Sequence, residues 1–338
     1  MSSEPLVSVV LPTFNRAHSL PRAMRSVLGQ SYRNLELIVV DDVSTDDTER
    51  VVTAIAASDS RVRFVRRERN GGAGAARNTG IREARGELIA FQDSDDEWLD
   101  EKLARQVAAL QARGEDAVLC VSAYLVYQQG TRGASWLLGR ESMVYPGDMR
   151  RQALVTFFFT TPTWVARTQT LRDLGGFDET MRCWEDWELA IRLVARGEVA
   201  MIDDALHIQH ESTGSVNRQD KAYGPAMRRI LEKHDERWRA EPRSLAEHCF
   251  VVGRHEMLYG SSAEARRFFS RAIRLRPSFR KAWLGWVLAA FGRAPYALLA
   301  KLRGKLRAEP ASQKANTLQY ITRVHGDRLV RNPSEPPQ

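Results

Sequence analysis

Three aspartates follow a short apolar run, where they could bind a metal ion. Leu88–Phe91 is long enough for a buried strand and too short for a helix. The residues that follow include Asp93, Asp95 and Asp96, and then Glu97. Like charges gathered at a strand end need a cation or several hydrogen-bond donors to stabilise them. We expect Mg2+ or Mn2+, with phosphate oxygens as further ligands; a solvated acidic turn is the alternative.

A second acidic pair lies further along the chain, between two tryptophans. Glu185 and Asp186 stand between Trp184 and Trp187, and the apolar residues that follow have the spacing of a helix. Apolar surroundings raise a carboxyl pKa toward the range that suits a general base. The alternative is that the pair caps the positive end of that helix, and the two roles can coexist.

The elements that would position these carboxylates alternate along the N-terminal third of the chain. Short apolar segments rich in branched residues predict buried strands at 6–11, 35–40, 62–65 and 88–91. The first strand is expected to stop at Pro12. The segments between the strands predict helices at 18–30, at 48–57 and from Asn70 onward. This alternation predicts an α/β fold with a doubly wound, mainly parallel sheet.

In such sheets ligands bind outside the carboxyl ends of the strands. The loop from Pro12 to Asn15, the pair Asp41 and Asp42, and the acidic run from Asp93 all follow predicted strands, so we expect them to share one crevice. The glycines after Asn70 have neither the spacing of a dinucleotide site nor the lysine of a P-loop. We interpret them as a tight turn that brings Arg77 toward the crevice.

Taken together, these segments resemble the successive motifs of family 2 glycosyltransferases. The motifs are Val7-Ser-Val-Val-Leu-Pro-Thr-Phe-Asn15, Leu37-Ile-Val-Val-Asp-Asp42 with Ser44-Thr-Asp-Asp47, Asn70-Gly-Gly with Ala76-Arg-Asn-Thr-Gly80, and Phe91-Gln-Asp-Ser-Asp-Asp-Glu-Trp98. The resemblance covers residues 5–115, and the acidic pair adds one motif within 160–215. It implies the Rossmann-like GT-A fold and transfer of a sugar from a nucleoside diphosphate donor, with inversion at the anomeric carbon.

The resemblance also implies a role for each site residue. Asp186, with Glu185 beside it, would take the proton from the acceptor hydroxyl. Asp95 would bind Mn2+ or Mg2+. His210 is a further candidate for the metal or the pyrophosphate, although a lone histidine is more often structural. The nucleotide would be held by Pro12, Thr13, Phe14, Asn15, Asp42, Arg77, Asp93 and Ser94.

The expected donor is a UDP-sugar, and the expected acceptor is a hydroxyl of a glycan or lipid-linked molecule in cell-surface polysaccharide synthesis. A nucleotidyltransferase is one alternative, but it should carry a glycine-rich, basic signature near the first strand, where Pro12-Thr-Phe-Asn-Arg16 stands instead. A non-catalytic GT-A-like scaffold is the other, and it would not need Asp93, Asp95 and Asp186 together.

The sequence departs from the family pattern in two places. Val43 stands where the family usually has glycine after the paired aspartates, which leaves the shape of that loop open. Residues 122–160 match no motif, and this is where the family recognises acceptors. The identity of the acceptor therefore cannot be predicted from the sequence.

The C-terminal third is basic and predicted to be helical. Residues 221–338 contain 24 Lys and Arg against 10 Asp and Glu, in a chain whose net charge is +8. Basic runs lie at 271–281 and 301–307, and the pattern around Gly253, Phe269 and Pro277 resembles part of a tetratricopeptide repeat. The charge suggests attraction to something anionic, either membrane head groups or an acidic polymer, and a solvated helical face is the alternative. Nucleic acid is not expected, because no recognition motif is present.

These patterns predict the division of the chain. We expect a nucleotide-sugar-binding half of the GT-A domain at 5–115, an acceptor-side half at 116–218, a helical extension at 220–331 and a disordered tail at 332–338. The three scattered cysteines suit a reducing cytosol, and no signal peptide or membrane-spanning run is apparent. We therefore expect a cytoplasmic protein that is peripheral at the inner face of a membrane.

Overall fold

The computed structural model describes residues 4–130, 133–138, 148–155, 160–210 and 220–296. Within these ranges the chain divides into two compact units, of which each is considered by itself. Residues 4–180 and 185–210 belong to the first unit, and residues 181–184 and 220–296 to the second. The predicted tail at 332–338 and the basic run at 301–307 lie outside the described residues.

The first unit begins with alternating strands and helices. They are β1 (Val7–Thr13), α1 (Leu20–Leu28), β2 (Leu35–Asp41), α2 (Thr48–Ala56), β3 (Val62–Arg66), α3 (Gly72–Glu83) and β4 (Leu88–Phe91). The strands β3, β2, β1 and β4 are neighbours in that order, and every pair among them is parallel. β1, β2 and β4 are buried along their whole length, as expected for strands that are covered on both faces. The predicted α/β arrangement is confirmed.

The sequence predicted that β1 would end at Pro12, and this prediction is wrong. The strand continues to Thr13, with Pro12 opposite Val40 of β2. The last β1 residue paired with β4 is Val10, so only β2 runs beside β1 at Pro12. A residue without a backbone N–H is tolerated where one side of a strand carries no ladder.

The second half of this unit makes the sheet mixed. Its elements are β5 (Glu97–Trp98), α4 (Lys102–Arg113), β6 (Ala117–Gly130), β7 (Gly133–Leu138), α5 (Met149–Val155), β8 (Trp164–Arg167), α6 (Thr168–Asp173), α7 (Glu185–Leu193) and β9 (Glu198–His210). Among the described residues the strands form one nine-stranded sheet in the order β3-β2-β1-β4-β8-β6-β9-β5, with β7 paired to β6. β8 is antiparallel to both β4 and β6. The last strand, β9, ends at His210 beside β5.

Close packing of α3 on β1 sets the position of the residues that face the site. A Cβ atom added at Gly80 would lie 2.2 Å from Val10 Cγ1, so only glycine allows the helix to approach the strand this closely. Two other residues of the same motif, Arg77 and Asn78, are buried on this helix. The motif Ala76-Arg-Asn-Thr-Gly80 therefore combines a glycine that permits close packing with two buried polar residues.

The second unit is helical, which confirms the predicted helical extension. Its helices are α8 (Asp220–Lys233), α9 (Asp235–Arg239), α10 (Pro242–Tyr259), α11 (Ser262–Leu275) and α12 (Arg280–Ala290). Phe269 of α11 is fully buried between two glycines, since Cβ atoms at Gly253 and Gly285 would each lie 2.7 Å from its ring. These glycines let α10 and α12 pack closely against α11. No helix in the described ranges is long and apolar enough to span a lipid bilayer.

Candidate active site

Asp96 anchors the acidic loop that follows β4. Its buried carboxylate lies 3.1 Å from His207 Nε2 and accepts a hydrogen bond from the backbone N–H of His210 at 2.9 Å. Burial raises the pKa of Asp96 well above its ordinary value and lowers the pKa of His207 to about 3, so His207 is neutral at pH 7. Because both histidines belong to β9, the loop after β4 is fixed to a strand from the second half of the sheet.

The negative charge of the Asp95 carboxylate is only partly compensated by the protein. It is partly exposed, and Arg16 Nη2 lies 3.7 Å from its Oδ2 atom. Burial, together with the negative charges of Asp96 and Asp93, raises the pKa of Asp95 to about 6, although Arg16 opposes the shift. Arg22 holds the loop from the other side by donating to the Asp95 carbonyl. Asp95 is therefore the carboxylate of this loop that a cation would stabilise.

His210 lies beside this loop, at the end of β9. Its Nε2 atom is 3.3 Å from Glu97 Oε2, and its ring is 5.2 Å from the ring of Tyr127, centroid to centroid. The structure therefore places His210 next to the acidic run, although the carboxylate that its imidazole contacts is Glu97 and not Asp95.

Arg77 joins the two acidic sites that the sequence singled out. One guanidinium nitrogen donates to Asp93 Oδ1 at 2.7 Å, and the other donates to Glu185 Oε1 at 2.9 Å. The guanidinium also lies 5.6 Å from the centre of the Phe177 ring. Burial alone would lower the pKa of Arg77, but the charges of Asp93 and Glu185 outweigh it and raise the pKa, so Arg77 stays charged. The residue predicted to face the nucleotide thus connects Asp93 to the acidic pair.

Glu185 and Asp186 stand in the first turn of α7 and have different surroundings. Glu185 is buried and paired with Arg77, whereas Asp186 is partly exposed and accepts from the backbone N–H of Trp187 at 2.8 Å. Burial and the charge of Glu185 raise the pKa of Asp186 to about 7, while Arg77 acts in the opposite direction. A partly exposed carboxylate with this pKa can accept a proton near neutral pH.

Asn78 fixes the turn that precedes the acidic pair. Its side chain exchanges hydrogen bonds with the backbone of Phe177, donating to the carbonyl at 2.9 Å and accepting from the N–H at 2.8 Å. Gly175 and Gly176 both have positive φ angles, which permits this sharp turn. Arg192 of α7 donates to the Gly176 carbonyl at 2.7 Å, so α3 and α7 hold the turn between them.

Asp42 and Asn15 organise the loops after β2 and β1. The Asp42 carboxylate accepts from the backbone N–H groups of Gly71 and Gly72, at 3.1 and 2.7 Å to Oδ2, and pairs with Arg67. Asn15 donates its backbone N–H to Ser44 Oγ at 2.9 Å, and its side chain accepts from the N–H of Thr45 at 2.8 Å. The predicted tight turn at 70–72 therefore supports the loop after β2.

The other predicted nucleotide residues lie on these same loops. Pro12 and Thr13 end β1, Phe14 follows them with 46% of its surface exposed, and Ser94 is buried between Asp93 and Asp95. The loops that carry Phe14, Asp42 and Asp95 are linked by described contacts, because Arg16 reaches Asp95 while Asn15 binds the loop after Asp42. The convergence expected from strand topology is therefore present.

Comparison with known proteins identifies the family of this chain. A model described as Glycosyl transferase family 2 matches residues 8–175. WcaA of Escherichia coli, whose name assigns it to colanic acid biosynthesis, is 30% identical over 226 residues, which make up 64% of this chain and 76% of WcaA. The chain belongs to glycosyl transferase family 2. One of its relatives is thus named for a role in polysaccharide biosynthesis.

Other relatives of this family 2 chain show how much of each protein is shared. The chain spans about a third of the length of an uncharacterised glycosyltransferase from Rickettsia felis, to which it is 32% identical. Among solved structures, S. aureus TarS in complex with UDP-GlcNAc has a TM-score of 0.56 and 19% identity, over 81% of this chain and 91% of that one. The mannosyltransferase PcManGT of Pyrobaculum calidifontis, in complex with GDP-Man and Mn2+, has a TM-score of 0.56 and 17% identity, over 97% and 89%. These likenesses confirm the GT-A fold.

One carboxylate among the described residues is suited to the predicted metal ion. Among the described residues, no group of three or more His, Cys, Asp or Glu side chains is arranged to bind an ion. Asp95 has the appropriate chemistry, because its carboxylate is partly exposed and its raised pKa would fall beside a cation. The residues fit an ion that takes a single carboxylate from the protein and further ligands from elsewhere.

Several polar residues of the site were not predicted. The sequence places Asp96 in the acidic run but does not show that its partners lie in β9. Asn78 belongs to the motif Ala76-Arg-Asn-Thr-Gly80, whereas Arg67 lies outside every motif. Their distance in sequence from the residues they bind explains why local patterns missed them. For Asn78, the usable signal was its position directly after Arg77.

Proposed function

We propose that this glycosyltransferase is inverting and transfers a sugar from a nucleoside diphosphate donor, expected to be a UDP-sugar, to an acceptor hydroxyl. The proposal rests on the ion pairs that Arg77 makes with Asp93 and Glu185. Through Glu185, they fix the position of the partly exposed Asp186 relative to the acidic loop. A single guanidinium spans both groups, so the base and the donor side of the site are positioned together.

Asp186 is proposed as the general base. The acceptor hydroxyl would give its proton to the Asp186 carboxylate while its oxygen forms a bond to the anomeric carbon. The bond from that carbon to the phosphate oxygen would break, and its electron pair would leave with the nucleoside diphosphate. Attack from the face opposite the leaving group inverts the anomeric centre. Glu185, paired with Arg77, would hold Asp186 in place and raise its pKa toward 7.

The donor would be bound by the loops after β1, β2 and β4. Pro12, Thr13, Phe14, Asn15 and Asp42 would hold the base, and Asp93 with Ser94 and Arg77 the ribose and phosphates. In this division residues 5–115 serve the donor and residues 116–218 the acceptor. When bound at Asp95, with His210 nearby, Mn2+ or Mg2+ would stabilise the negative charge of the departing diphosphate. TarS and PcManGT, which share the fold, were solved with UDP-GlcNAc and with GDP-Man and Mn2+.

The acceptor is proposed to be a glycan or a lipid-linked molecule of cell-surface polysaccharide synthesis. WcaA supports the first part by its name, and a further relative, WfgD of Escherichia coli, is named as a glucosyltransferase acting on a diphosphoundecaprenol-linked sugar. A lipid-linked acceptor agrees with a cytoplasmic enzyme that contacts the inner face of a membrane through its basic C-terminal region.

Isothermal titration with UDP, GDP, CDP and dTDP, each with and without Mn2+, tests the donor site. We expect one nucleotide to bind in a Mn2+-dependent manner, and Asp95→Asn to weaken that binding at least about tenfold, because the ion loses its carboxylate. Asp100→Asn is the matched control, since Asp100 is an exposed carboxylate five residues further on. Asp186→Asn should bind the nucleotide normally.

Transfer is tested with the nucleotide that binds, by following release of the nucleoside diphosphate from its sugar conjugates. Asp186→Asn should reduce kcat by about a thousandfold or more, since base catalysis and the charge at the reacting hydroxyl are both lost. Absence of binding by all four nucleotides would overturn the proposal and favour the scaffold alternative. Near-normal transfer by Asp186→Asn would exclude its role as the base.

A further inference from the structure

Helix α12 buries small residues and exposes several large apolar ones, while Trp286 and Leu288 are partly buried. The buried residues of this helix are Ala282, Gly285 and Ala289. Its exposed side carries Trp283, Leu284 and Val287, continued just past the helix by Phe291. We call these four residues the α12 face. Phe291 has 73% of its surface exposed and Leu284 has 42%.

The spacing shows that this is one continuous surface. Residues 283, 284, 287 and 291 follow the i, i+1, i+4 and i+8 positions of a helix, so they lie along one side. Single exposed apolar residues are ordinary on protein surfaces, whereas a contiguous group with two aromatic members indicates an interaction site. The hydrogen bond from Trp283 Nε1 to the Pro277 carbonyl at 2.9 Å fixes the indole in this exposed position.

The segment that contains α12 is basic, although Arg267, Arg271 and Arg276 are paired with Glu264, Asp235 and Glu247. Residues 265–296 contain eight Arg and Lys residues and no Asp or Glu. Arg280 and Lys281, at the start of α12, are exposed, and the described residues provide no ion-pair partner for either. An apolar stripe bordered by basic residues is complementary to an anionic surface with an apolar interior.

We infer that the α12 face is a docking surface for an anionic lipid bilayer. Aromatic and aliphatic side chains would enter the boundary between headgroups and acyl chains, and the basic residues would lie against the phosphates. A second copy of the chain is a poorer occupant, because a symmetric contact would bring Arg280 and Lys281 of both copies together. These residues would make the membrane contact that is part of the proposed function. Binding to the bilayer requires neither the nucleotide nor the transfer reaction.

The test is cosedimentation of the full chain with vesicles of phosphatidylcholine, alone or with 30% phosphatidylglycerol. The wild-type protein should bind the anionic vesicles and not the neutral ones. Arg280→Glu/Lys281→Glu should weaken binding about 25-fold or more, since each basic residue near an anionic surface contributes about a fivefold factor. Leu284→Ser/Phe291→Ser should weaken it about tenfold and leave the dependence on salt unchanged, because the charges remain.

Two exposed residues of α10 provide matched controls. Val251→Ser removes an apolar side chain of similar exposure, and Arg254→Glu reverses an exposed charge in the same unit. Both should bind vesicles like the wild type, and all variants should keep its thermal midpoint. Equal losses for control and α12 variants would overturn the inference, as would wild-type binding to neutral vesicles. It would also be overturned if the α12 variants left vesicle binding intact and instead dissociated a dimer, measured by light scattering. Nucleotide titration of the same variants separates this failure from failure of the proposed enzyme function.

Discussion

Arg77 Nη1 donates to Glu185 Oε1 at 2.9 Å, although the two residues are 108 positions apart in the sequence. The other end of the same guanidinium donates to Asp93 Oδ1 at 2.7 Å. A planar guanidinium can serve two carboxylates in fixed directions, whereas an ammonium group is a single point of charge. Arg77 thus fixes the distance between the acidic loop after β4 and the first turn of α7.

Replacing Arg77 should therefore affect both stability and catalysis. Arg77→Gln leaves Asp93 and Glu185 without their common partner, and we expect the free energy of unfolding to fall by about 3 kcal/mol. It also removes a positive charge that lowers the pKa of Asp186, so the acidic limb of the pH–rate profile should move to higher pH. Urea unfolding and the pH dependence of kcat/KM measure the two effects.

Arg82→Gln is the matched control, since Arg82 is an exposed arginine on the same helix. It should change the free energy of unfolding by less than about 0.5 kcal/mol. Arg77→Lys should keep the position of the pH profile better than Arg77→Gln but recover little of the activity, because one ammonium cannot hold both carboxylates. An unchanged pH profile for Arg77→Gln would show that Arg77 does not act on Asp186.

The raised pKa of Asp186 predicts that activity increases with pH while stability decreases. Its pKa of about 7 predicts that kcat/KM rises with pH between about 6 and 8, as the carboxylate becomes able to accept a proton. The same shift costs stability: the folded-state pKa is above the ordinary value of 3.8, so the stabilising effect of the protonated group is present below pH 4 and is lost as pH rises through 7.

Asp186→Asn should consequently be more stable than the wild type at pH 8 and not at pH 4. Because Asp186 is partly exposed and solvent screens part of the effect, we expect a gain on the order of 1 kcal/mol. Thermal unfolding at both pH values measures it, with Asp116→Asn as an exposed control that should show no such difference. A gain of equal size at both pH values would mean that packing, and not ionisation, is responsible.

The sequence predicted the elements better than the contacts between them. The runs at Leu35–Asp41 and Leu88–Phe91 indicated buried strands because apolar and branched residues are continuous there, and the topology then placed Asp42 and Asp95 at one edge. The pairing of Asp96 with His207 and of Arg77 with Glu185 could not be predicted, since it depends on the order of β8, β6 and β9 in the sheet. Local periodicity contains no information about that order.

Gly175 and Gly176 provide a matched pair for testing the turn before α7. Both have positive φ, 75° and 70°, so alanine at either position costs about 1–2 kcal/mol of backbone strain. A Cβ atom at Gly175 meets nothing within 4 Å, but one at Gly176 would lie 2.2 Å from Asn78 Oδ1. Gly176→Ala must in addition displace Asn78 from the Phe177 backbone.

We therefore expect Gly175→Ala to lower the free energy of unfolding by about 1–2 kcal/mol with little effect on kcat. Gly176→Ala should lower it by about 3 kcal/mol or more, since two buried hydrogen bonds are lost as well. It should also reduce kcat, because the turn orients the acidic pair through Asn78 and Arg192. Chemical denaturation and transfer assays on both variants measure these effects. Equal losses of unfolding free energy at the two positions would show that Asn78 can move aside without losing stabilising contacts.

Val43 is the residue that departs from the family pattern, and its backbone is strained. Its φ angle of 69° lies in the left-handed region, which a β-branched residue rarely adopts. Relief of this strain by Val43→Gly should raise the free energy of unfolding by about 1–2 kcal/mol. The greater freedom of glycine in the unfolded chain should lower it by about 0.5–1 kcal/mol. A net gain on the order of 1 kcal/mol is expected, which corresponds to a rise of about 2–4 °C in Tm. Val43→Ala should gain less than Val43→Gly, since alanine keeps the Cβ atom that causes the strain. If Tm instead falls for both variants, the half-buried side chain of Val43 contributes more by its contacts than the left-handed backbone costs.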